Sequence, residues 1–181
     1  MSFLLRPAEA GDLTAIAAIY AEEVLHGRAS FEEVPPDVEE MRRRWQGVTE
    51  RELPYLVAVG QDPWEGEPIL GYAYAGPYRP RPAYRHTLED SVYLHPAARR
   101  QGIGTALLAE LLDRSAALGY RQMVAIIGDS DNAASIELHR KLGFQRIGVL
   151  RSVGFKLGKW VDSVLMQRAL GTGDGSPPSR P

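Results

Sequence analysis

The chain has 181 residues, of which 44% are hydrophobic and 24% are charged, so it is long and apolar enough for one globular domain with a sizeable core. Lys and Arg total 21 against 23 Asp and Glu, and this near-balance gives no reason to expect nucleic acid or an anionic membrane as a partner. The chain has no cysteine, which excludes disulfides, thiolate metal sites and cysteine nucleophiles, and which fits a cytoplasmic protein.

The first 50 residues predict a short strand followed by two helices. The apolar run Phe3 to Arg6 is typical of an edge strand, because a proline stops it. Apolar residues then recur at helical spacing after Asp12, a plausible N-cap, and we expect this helix to end at Gly27. A second helix is predicted to begin after the cap residue Asp37 and to close at Gly47.

The middle of the chain predicts three strands. Tyr55 to Val59 and Ile69 to Ala75 are joined by the turn-rich sequence QDPWEGEP, which indicates a hairpin. Prolines then interrupt regular structure between Gly76 and Tyr84. A third strand is predicted from about Arg85 to Leu94, with Glu89 on the same face as Ser91.

The last part of the chain predicts helix, strand, helix and two strands. We expect a helix over Ile103 to Leu118, and a buried strand over Met123 to Ile127. A short helix follows from Asn132 to Gly143. Two strands, Phe144 to Leu150 and Val161 to Leu170, complete the domain.

This order of elements predicts an α/β fold with a mixed sheet in one domain, residues 1–170. The stretch 171–181 (GTGDGSPPSRP) has no apolar residue to bury, so we expect it to be disordered. The N-terminus does not have the pattern of a secretion signal, and no apolar run approaches the roughly 20 residues that span a bilayer. Four widely separated histidines predict no metal site.

The segment Arg99 to Ala106, RRQGIGTA, lies between a predicted strand and a predicted helix, where a helix N-terminus can bind phosphate. Three phosphate-binding patterns compete for it. A P-loop needs GxxxxGK[ST], and no lysine follows these glycines; a dinucleotide fingerprint needs a small residue at Leu107. The pattern that remains is the coenzyme A pyrophosphate loop, R/Q-x-x-G-x-G/A.

Five segments in order resemble the GNAT superfamily of N-acetyltransferases, and specifically its phosphinothricin/methionine sulfoximine acetyltransferase branch. They are Glu89 to Leu94 (EDSVYL), Gln101 to Ala106 (QGIGTA), Asn132 to Ser135 (NAAS), Leu138 to Phe144 (LHRKLGF) and Gly154 to Asp162 (GFKLGKWVD). The resemblance covers nearly all of residues 3–170. It implies the GNAT acyl-CoA N-acyltransferase fold, a mixed, mostly antiparallel sheet with splayed central strands flanked by helices. It also implies acetyl-CoA as co-substrate, without a metal, and a homodimer.

The resemblance assigns a coenzyme site to the pyrophosphate loop, to the strand before it and to the helix from Asn132. In the implied fold the coenzyme's pantetheine arm pairs with the strand like an added strand, and a backbone N–H binds the thioester oxygen. By resemblance the coenzyme contacts Val92, Tyr93, Leu94, Arg99, Arg100, Gln101, Gly102, Ile103, Gly104, Thr105, Asn132 and Ser135.

Two residues are candidates for proton transfer. Acetyl transfer needs a neutral amine, so a group must accept the acceptor's proton, and Glu89 lies three residues before the predicted thioester-binding strand. The resemblance assigns Glu89 the role of general base, acting directly or through a water. Asn132, Ser135 and His139 lie at i, i+3 and i+7 on one helix face. We expect His139 to act as an acid or an assisting base; a purely structural histidine is the alternative.

The resemblance also implies an acceptor pocket. Arginine binds carboxylate and phosphinate groups through two parallel hydrogen bonds, and the proline-broken segment supplies two arginines. The implied pocket residues are Phe31, Arg79, Pro80, Arg81, Glu89, Asp90 and Ser91. For Arg81 a plain surface arginine is the alternative. Lys156, Trp160 and Asp162 match the branch without an assignable role.

The sequence therefore predicts an enzyme that transfers acetyl from acetyl-CoA to the amino group of a small L-amino acid analogue of the phosphinothricin or methionine sulfoximine type. Two alternatives stay open. One is a GNAT enzyme for another amine, such as a peptide N-terminus, a polyamine or an aminoglycoside. The other is a non-catalytic acyl-CoA-binding module.

Overall fold

The computed structural model describes residues 2–64 and 67–178 and forms one seven-stranded sheet flanked by four helices. The strands are β1 (Phe3–Pro7), β2 (Tyr55–Trp64), β3 (Glu67–Pro77), β4 (Thr87–Leu94), β5 (Gln122–Gly128), β6 (Gln145–Lys156) and β7 (Lys159–Ala169). The helices are α1 (Leu13–His26), α2 (Val38–Thr49), α3 (Ile103–Ala117) and α4 (Ala133–Lys141). No helix within the described ranges is long and apolar enough to span a bilayer.

The sheet is mixed and mostly antiparallel, as predicted. Its strand order is β1-β2-β3-β4-β5-β7-β6, and only the β4–β5 pair is parallel. The parallel pair is formed across α3, which connects the two strands and packs on β2, β3 and β4. The β4–β5 pair lies at the centre of the sheet, so the loop between β4 and α3 opens at its middle.

The central strands β4 and β5 pair over only half of their length. Their register runs from Thr87 opposite Gln122 to Asp90 opposite Ala125 and then stops. Beyond that point β4 stays paired with β3, and β5 stays paired with β7, so the two strands part. The splay that the resemblance implies is therefore present. It also leaves Ile126 38% exposed, although we predicted that its strand is buried on both faces.

Helix α3 covers one face of the sheet with the apolar stripe that its sequence predicts. Leu107, Leu108, Leu111 and Leu112 are all at most 1% exposed. Helices α1 and α2 cover the opposite face. Because side chains alternate along a strand, Leu88, Val92 and Leu94 of β4 share the α3 face, whereas Glu89, Ser91 and Tyr93 share the α1–α2 face.

Five tyrosines pack together on the α1–α2 face. The rings of Tyr55 and Tyr74 stack with centroids 5.0 Å apart, Tyr72 stacks on Tyr93 at 5.3 Å, and Tyr20 meets Tyr93 edge-on at 5.0 Å. Such aromatic pairs contribute beyond the area that they bury. This aromatic layer therefore holds β2, β3 and β4 and helix α1 together beside Glu89.

Two predicted helix ends differ from the structure. Gly47 was expected to close α2, but the helix continues to Thr49. Since φ of Gly47 is not positive, the glycine does not form a left-handed cap and is tolerated inside the helix. Asp12 precedes α1 as predicted, yet its carboxylate does not cap that helix. It accepts from the Glu9 N–H at 2.8 Å and from the Arg6 guanidinium at 2.6 and 2.7 Å.

Strand β6 and the β2–β3 hairpin are both longer than predicted, because their strands continue through polar and glycine residues. Residues 65–66 of the predicted turn and residues 179–181 of the predicted disordered tail lie outside the described residues. Disorder of the tail stays a prediction. In the structure the Arg121 guanidinium donates to the carbonyls of Gly173 at 2.9 Å and Ser176 at 2.6 Å.

Candidate active site

A groove of about 720 Å³ lies between the parted end of β4, the start of α3 and one side of α4. Eleven of the twelve predicted coenzyme residues line it: Val92, Tyr93, Leu94, Arg99, Arg100, Gly102, Ile103, Gly104, Thr105, Asn132 and Ser135. The twelfth, Gln101, is exposed and donates to the Ala97 carbonyl at 2.9 Å. Gln101 therefore stabilises the turn through this hydrogen bond and does not line the groove.

The turn before α3 has the backbone shape that an anion site needs. Arg100 and Gly102 both have positive φ, of 62° and 80°, and Gly102 is the N-cap of α3. A residue without a side chain at the cap leaves the N–H groups of the first helical turn open toward the groove. The Arg99 guanidinium lies 3.7 Å from the Glu23 carboxylate, at the α1 side of the groove.

The second glycine of the turn is needed for a different reason. A Cβ at Gly104 would lie 3.3 Å from the Leu94 side chain and 3.5 Å from that of Leu138. The absence of a side chain therefore lets the start of α3 pack closely against both β4 and α4. This packing brings the three walls of the groove together.

Helix α4 contributes more groove residues than we predicted. Asn132 caps the helix, since its Oδ1 accepts from the Ser135 N–H at 3.2 Å. Leu138 and Lys141 also line the groove, and Leu138 packs against the hydrophobic core as well. Extending the i+3 spacing of Asn132 and Ser135 by two steps reaches both residues, so the signal was present in the sequence. Lys141 places a positive charge on this wall.

Glu89 is half-buried on the α1–α2 face of β4, opposite Gly76 of β3. Burial and, to a smaller extent, the charge of the neighbouring Asp90 raise the pKa of Glu89 to about 7, against the opposing charge of Arg79. Next to it, burial raises the pKa of Tyr74, and a hydrogen bond with Ser91 opposes that rise. A carboxylate with a pKa near 7 can accept a proton at neutral pH and release it again.

Asp90 and His139 form a buried pair on the α3–α4 face. His139 Nε2 lies 2.9 Å from Asp90 Oδ2, and the two side chains are 4% and 2% exposed. His139 Nδ1 lies 2.7 Å from the Ser135 carbonyl, and the ring meets Phe144 edge-on at 5.0 Å. Burial lowers the pKa of His139, but the hydrogen bond and charge of Asp90 and the Ser135 carbonyl outweigh it, so the net shift is upward.

The predicted acceptor residues are divided between two places. Arg79, Pro80 and Arg81 are exposed after β3, and only Arg79 among them shifts the pKa of Glu89. Phe31 lies instead in the segment between α1 and α2. Its ring packs over Gly154 of β6, where a Cβ would be 3.0 Å from Cε1.

The segment between α1 and α2 is held by late-chain residues that had no assigned role. Lys156, only 3% exposed, donates from Nζ to the Ser30 carbonyl at 2.7 Å. Asp162 accepts from the Ser130 hydroxyl at 2.7 Å and from the Ser152 N–H at 2.8 Å. Lys156 therefore connects the β6–β7 hairpin to the segment that contains Phe31, and Asp162 connects the hairpin to the loop before α4.

The comparisons with known proteins agree with this geometry. The family model described as "Acetyltransferase (GNAT) family" matches residues 16–144, more than half of the chain. The chain belongs to the GNAT family of acetyltransferases. Over 167 residues it is 56% identical to a phosphinothricin N-acetyltransferase of Alcaligenes faecalis, covering 92% of this chain and 82% of that protein.

Two further relatives extend the comparison. A protein of Pseudomonas aeruginosa named L-methionine sulfoximine/L-methionine sulfone acetyltransferase is 42% identical over 167 residues, which are 92% of this chain and 94% of that protein. The crystal structure of a GNAT superfamily phosphinothricin acetyltransferase from Sinorhizobium meliloti, in complex with acetyl-CoA, matches with a TM-score of 0.93. It is 47% identical, and the match covers 99% of this chain and 95% of that chain.

The predictions of family, fold, enzyme class and acetyl-CoA as co-substrate are confirmed by these matches. Among residues 2–64 and 67–178, no three His, Cys, Asp or Glu side chains are grouped so that they could hold a metal ion. The individual catalytic, coenzyme and acceptor residues stay predictions.

Proposed function

We propose that this chain transfers the acetyl group of acetyl-CoA to the amino group of a small L-amino acid analogue of the phosphinothricin or methionine sulfoximine type, with Glu89 as general base. The observation that carries the proposal is the position of Glu89. It is half-buried, has a raised pKa, and lies on the strand whose next residues line the coenzyme groove. The names of the relatives support the acceptor class.

The groove suits an extended coenzyme on three grounds. Its volume of about 720 Å³ is that of a small-molecule site. The N-terminus of α3 provides N–H donors for phosphate at the glycine turn. Beyond Asp90, the β5-facing edge of β4 has no strand partner among the described residues, so its backbone can pair with another extended chain. Acetyl-CoA supplies the activated acetyl group when it is bound there.

The proposed chemistry uses groups on both sides of β4. The Glu89 carboxylate accepts the proton of the acceptor's ammonium group, which leaves a neutral amine. The amine attacks the thioester carbon to form the new C–N bond, and the C–S bond breaks. The proton that the new amide nitrogen loses goes to the leaving thiolate, which gives the coenzyme thiol. A backbone N–H of β4 between Val92 and Leu94 donates to the carbonyl oxygen as it becomes negative. Arg79, beside Glu89, binds an anionic group of the acceptor.

An acceptor panel tests this proposal. We expect free thiol to be released from acetyl-CoA when phosphinothricin, methionine sulfoximine or methionine sulfone is added, with kcat/KM at least tenfold above that for a tripeptide N-terminus, spermidine or an aminoglycoside, a margin typical of a site built for one substrate class. A preference for one of the last three would support a different acceptor. Coenzyme binding without turnover on any acceptor would support the non-catalytic module.

We also propose that the chain forms a homodimer through the β6–β7 hairpin and is cytoplasmic. Strand β6 lies at a sheet edge, and the hairpin carries several half-exposed apolar side chains. They are Ile147, Leu150, Val153, Phe155, Leu157 and Trp160. Apolar side chains grouped on an edge strand are typical of an interface with another chain. The cytoplasmic location is based on the absence of cysteine.

Trp160→Glu tests the dimer, because a charge at this 68% exposed position would be buried without a partner in an interface. We expect light scattering after size-exclusion chromatography to give twice the chain mass for the wild type and the chain mass for Trp160→Glu. Leu4→Glu is the control, since Leu4 is 54% exposed on β1 at the opposite edge. A wild type of single-chain mass, or an unchanged mass for Trp160→Glu, would refute this interface.

A further inference from the structure

His139 has both of its ring nitrogens against hydrogen-bond acceptors. Nε2 is 2.9 Å from the Asp90 carboxylate, and Nδ1 is 2.7 Å from the Ser135 carbonyl. A carbonyl oxygen can only accept, so Nδ1 carries a proton. At Nε2 the partner is a carboxylate, which accepts when it is ionised. Both ring nitrogens are satisfied when His139 is an imidazolium that donates from each of them, whereas the second oxygen of Asp90, Oδ1, is buried without a hydrogen-bond partner.

This geometry leaves His139 without a proton to give to the reaction. A general acid needs an N–H directed at the leaving thiolate, and both N–H groups point to protein acceptors instead. Loss of the Nε2 proton would place a nitrogen lone pair against the Asp90 carboxylate. Both side chains are at most 4% exposed, so water could not relieve that repulsion.

The Asp90–His139 pair lies at the point where β4 and β5 part. Asp90 is the last residue of β4 that pairs with β5, directly before the two strands part. His139 is on α4, whose Ser135, Leu138 and Lys141 form one wall of the coenzyme groove. The Asp90–His139 bond therefore joins that wall to β4, which forms the facing wall. Across the described part of the chain, it is the one side-chain ion pair between α4 and the sheet.

We propose that His139 is a positioning residue. Its ion pair with Asp90 fixes α4 against β4 at the point where β4 and β5 part, and this contact sets the width of the coenzyme groove. This inference rests on the proposed acetyl transfer for its kinetic consequences. Its structural part, an imidazolium tied to Asp90, does not depend on any activity.

The same pair acts on Glu89 through charge. Asp90 is adjacent to Glu89 and raises its pKa, and a positive charge on His139, 2.9 Å from Asp90, should partly offset that effect. The other groups that face Glu89 are Arg79, after β3, which lowers its pKa, and Tyr74, on β3. The Asp90→Asn variant removes the like charge, so the pKa of Glu89 should fall. His139→Gln leaves the Asp90 charge unbalanced, so the pKa of Glu89 should rise.

Kinetics of Asp90→Asn, His139→Gln and the double variant test the positioning role. We expect the KM for acetyl-CoA to rise about tenfold in each single variant, as a displaced wall would cause. The double variant should be no worse than either single one, because the two residues act through one bond. The lower pH midpoint of kcat/KM should move down in Asp90→Asn and up in His139→Gln. A His139→Gln variant that loses kcat and the alkaline limb, with KM unchanged, would instead identify a general acid.

Nitrogen NMR of the wild-type chain, labelled with ¹⁵N-histidine, tests the structural part directly. The chain has four histidines, so loss of one signal pair in His139→Gln assigns the ring. We expect both ring nitrogens of His139 to be protonated at neutral pH. The His139 signals should stay unchanged in the control variant His26→Gln, since His26 is exposed. An unprotonated Nε2 at that pH would overturn the inference, whereas absence of turnover with an imidazolium present would refute only the proposed function.

Discussion

Replacing Glu89 with Gln should lower kcat/KM for the acceptor by about 10²- to 10⁴-fold near pH 8, the usual contribution of a general base. Gln has the same shape and can still hydrogen-bond the amine, but it cannot take its proton. The KM for acetyl-CoA should stay within about twofold, because Glu89 is not among the residues that line the groove. Continuous thiol detection at saturating acetyl-CoA measures this effect.

The pH profile provides a second test of the same residue. Since burial raises the pKa of Glu89 to about 7, the carboxylate is protonated and inactive in most molecules below that pH. Wild-type kcat/KM should therefore increase as pH rises through about 7, and the rising limb should be missing from the residual activity of Glu89→Gln. Glu39→Gln, at an exposed position of α2, is the control. Unchanged turnover in Glu89→Gln would remove Glu89 from the mechanism.

Glu89→Gln should also change stability in a direction that a simple packing defect would not. A carboxyl group with a raised folded pKa binds more protons when folded than when unfolded, so it loses stability as pH rises toward the folded pKa. Gln has no charge to bury. The variant should therefore melt at a higher temperature than the wild type at pH 8, and the difference should be smaller at pH 5. A lower melting temperature at both pH values would indicate lost packing instead.

Most of the fold follows from local sequence patterns. Apolar spacing identifies α1 and α3, and the turn residues between Val59 and Ile69 identify the β2–β3 hairpin. The patterns are less informative where an element ends without a special backbone conformation. Gly47 looks like a helix end, yet α2 continues past it with ordinary φ. The parting of β4 and β5 is a tertiary feature, and only the family resemblance predicts it.

The candidate site likewise contains some features that the sequence predicts and others that it does not. The glycine turn from Arg99 to Thr105 can be predicted because a short motif determines its backbone shape. The Asp90–His139 pair joins residues 49 positions apart, and helix periodicity places His139 on a polar face without indicating that the ring is buried. The contact of Lys156 with the Ser30 carbonyl spans 126 positions. Spacing rules describe neighbours along one element, so they cannot predict pairs that only tertiary packing brings together.

Replacing Gly128 with Ala should destabilise the chain by about 3 kcal/mol, the upper end of the range for overpacking a core. Gly128 ends β5, and the segment between α1 and α2 crosses directly over it. A Cβ there would meet the Arg28 carbonyl, and would lie 2.7 Å from the Ala29 carbonyl and 2.9 Å from its Cα. All three atoms are backbone, so no side chain can rotate away. The melting temperature should fall by about 6–12 °C for a chain of this length.

The same change should also affect the binding of the acceptor. The displaced segment continues to Ser30, which the Lys156 ammonium holds, and to Phe31, which packs on Gly154. We expect the KM for the acceptor to rise about tenfold or more, since a shift of around 1 Å is costly in a positioned site. Gly11→Ala is the matched control, because a Cβ at Gly11 meets nothing within 4 Å. A Gly128→Ala variant with wild-type melting and kinetics would show that the segment can move away from β5 without cost, and it would count against the proposed role of Phe31 in the acceptor pocket.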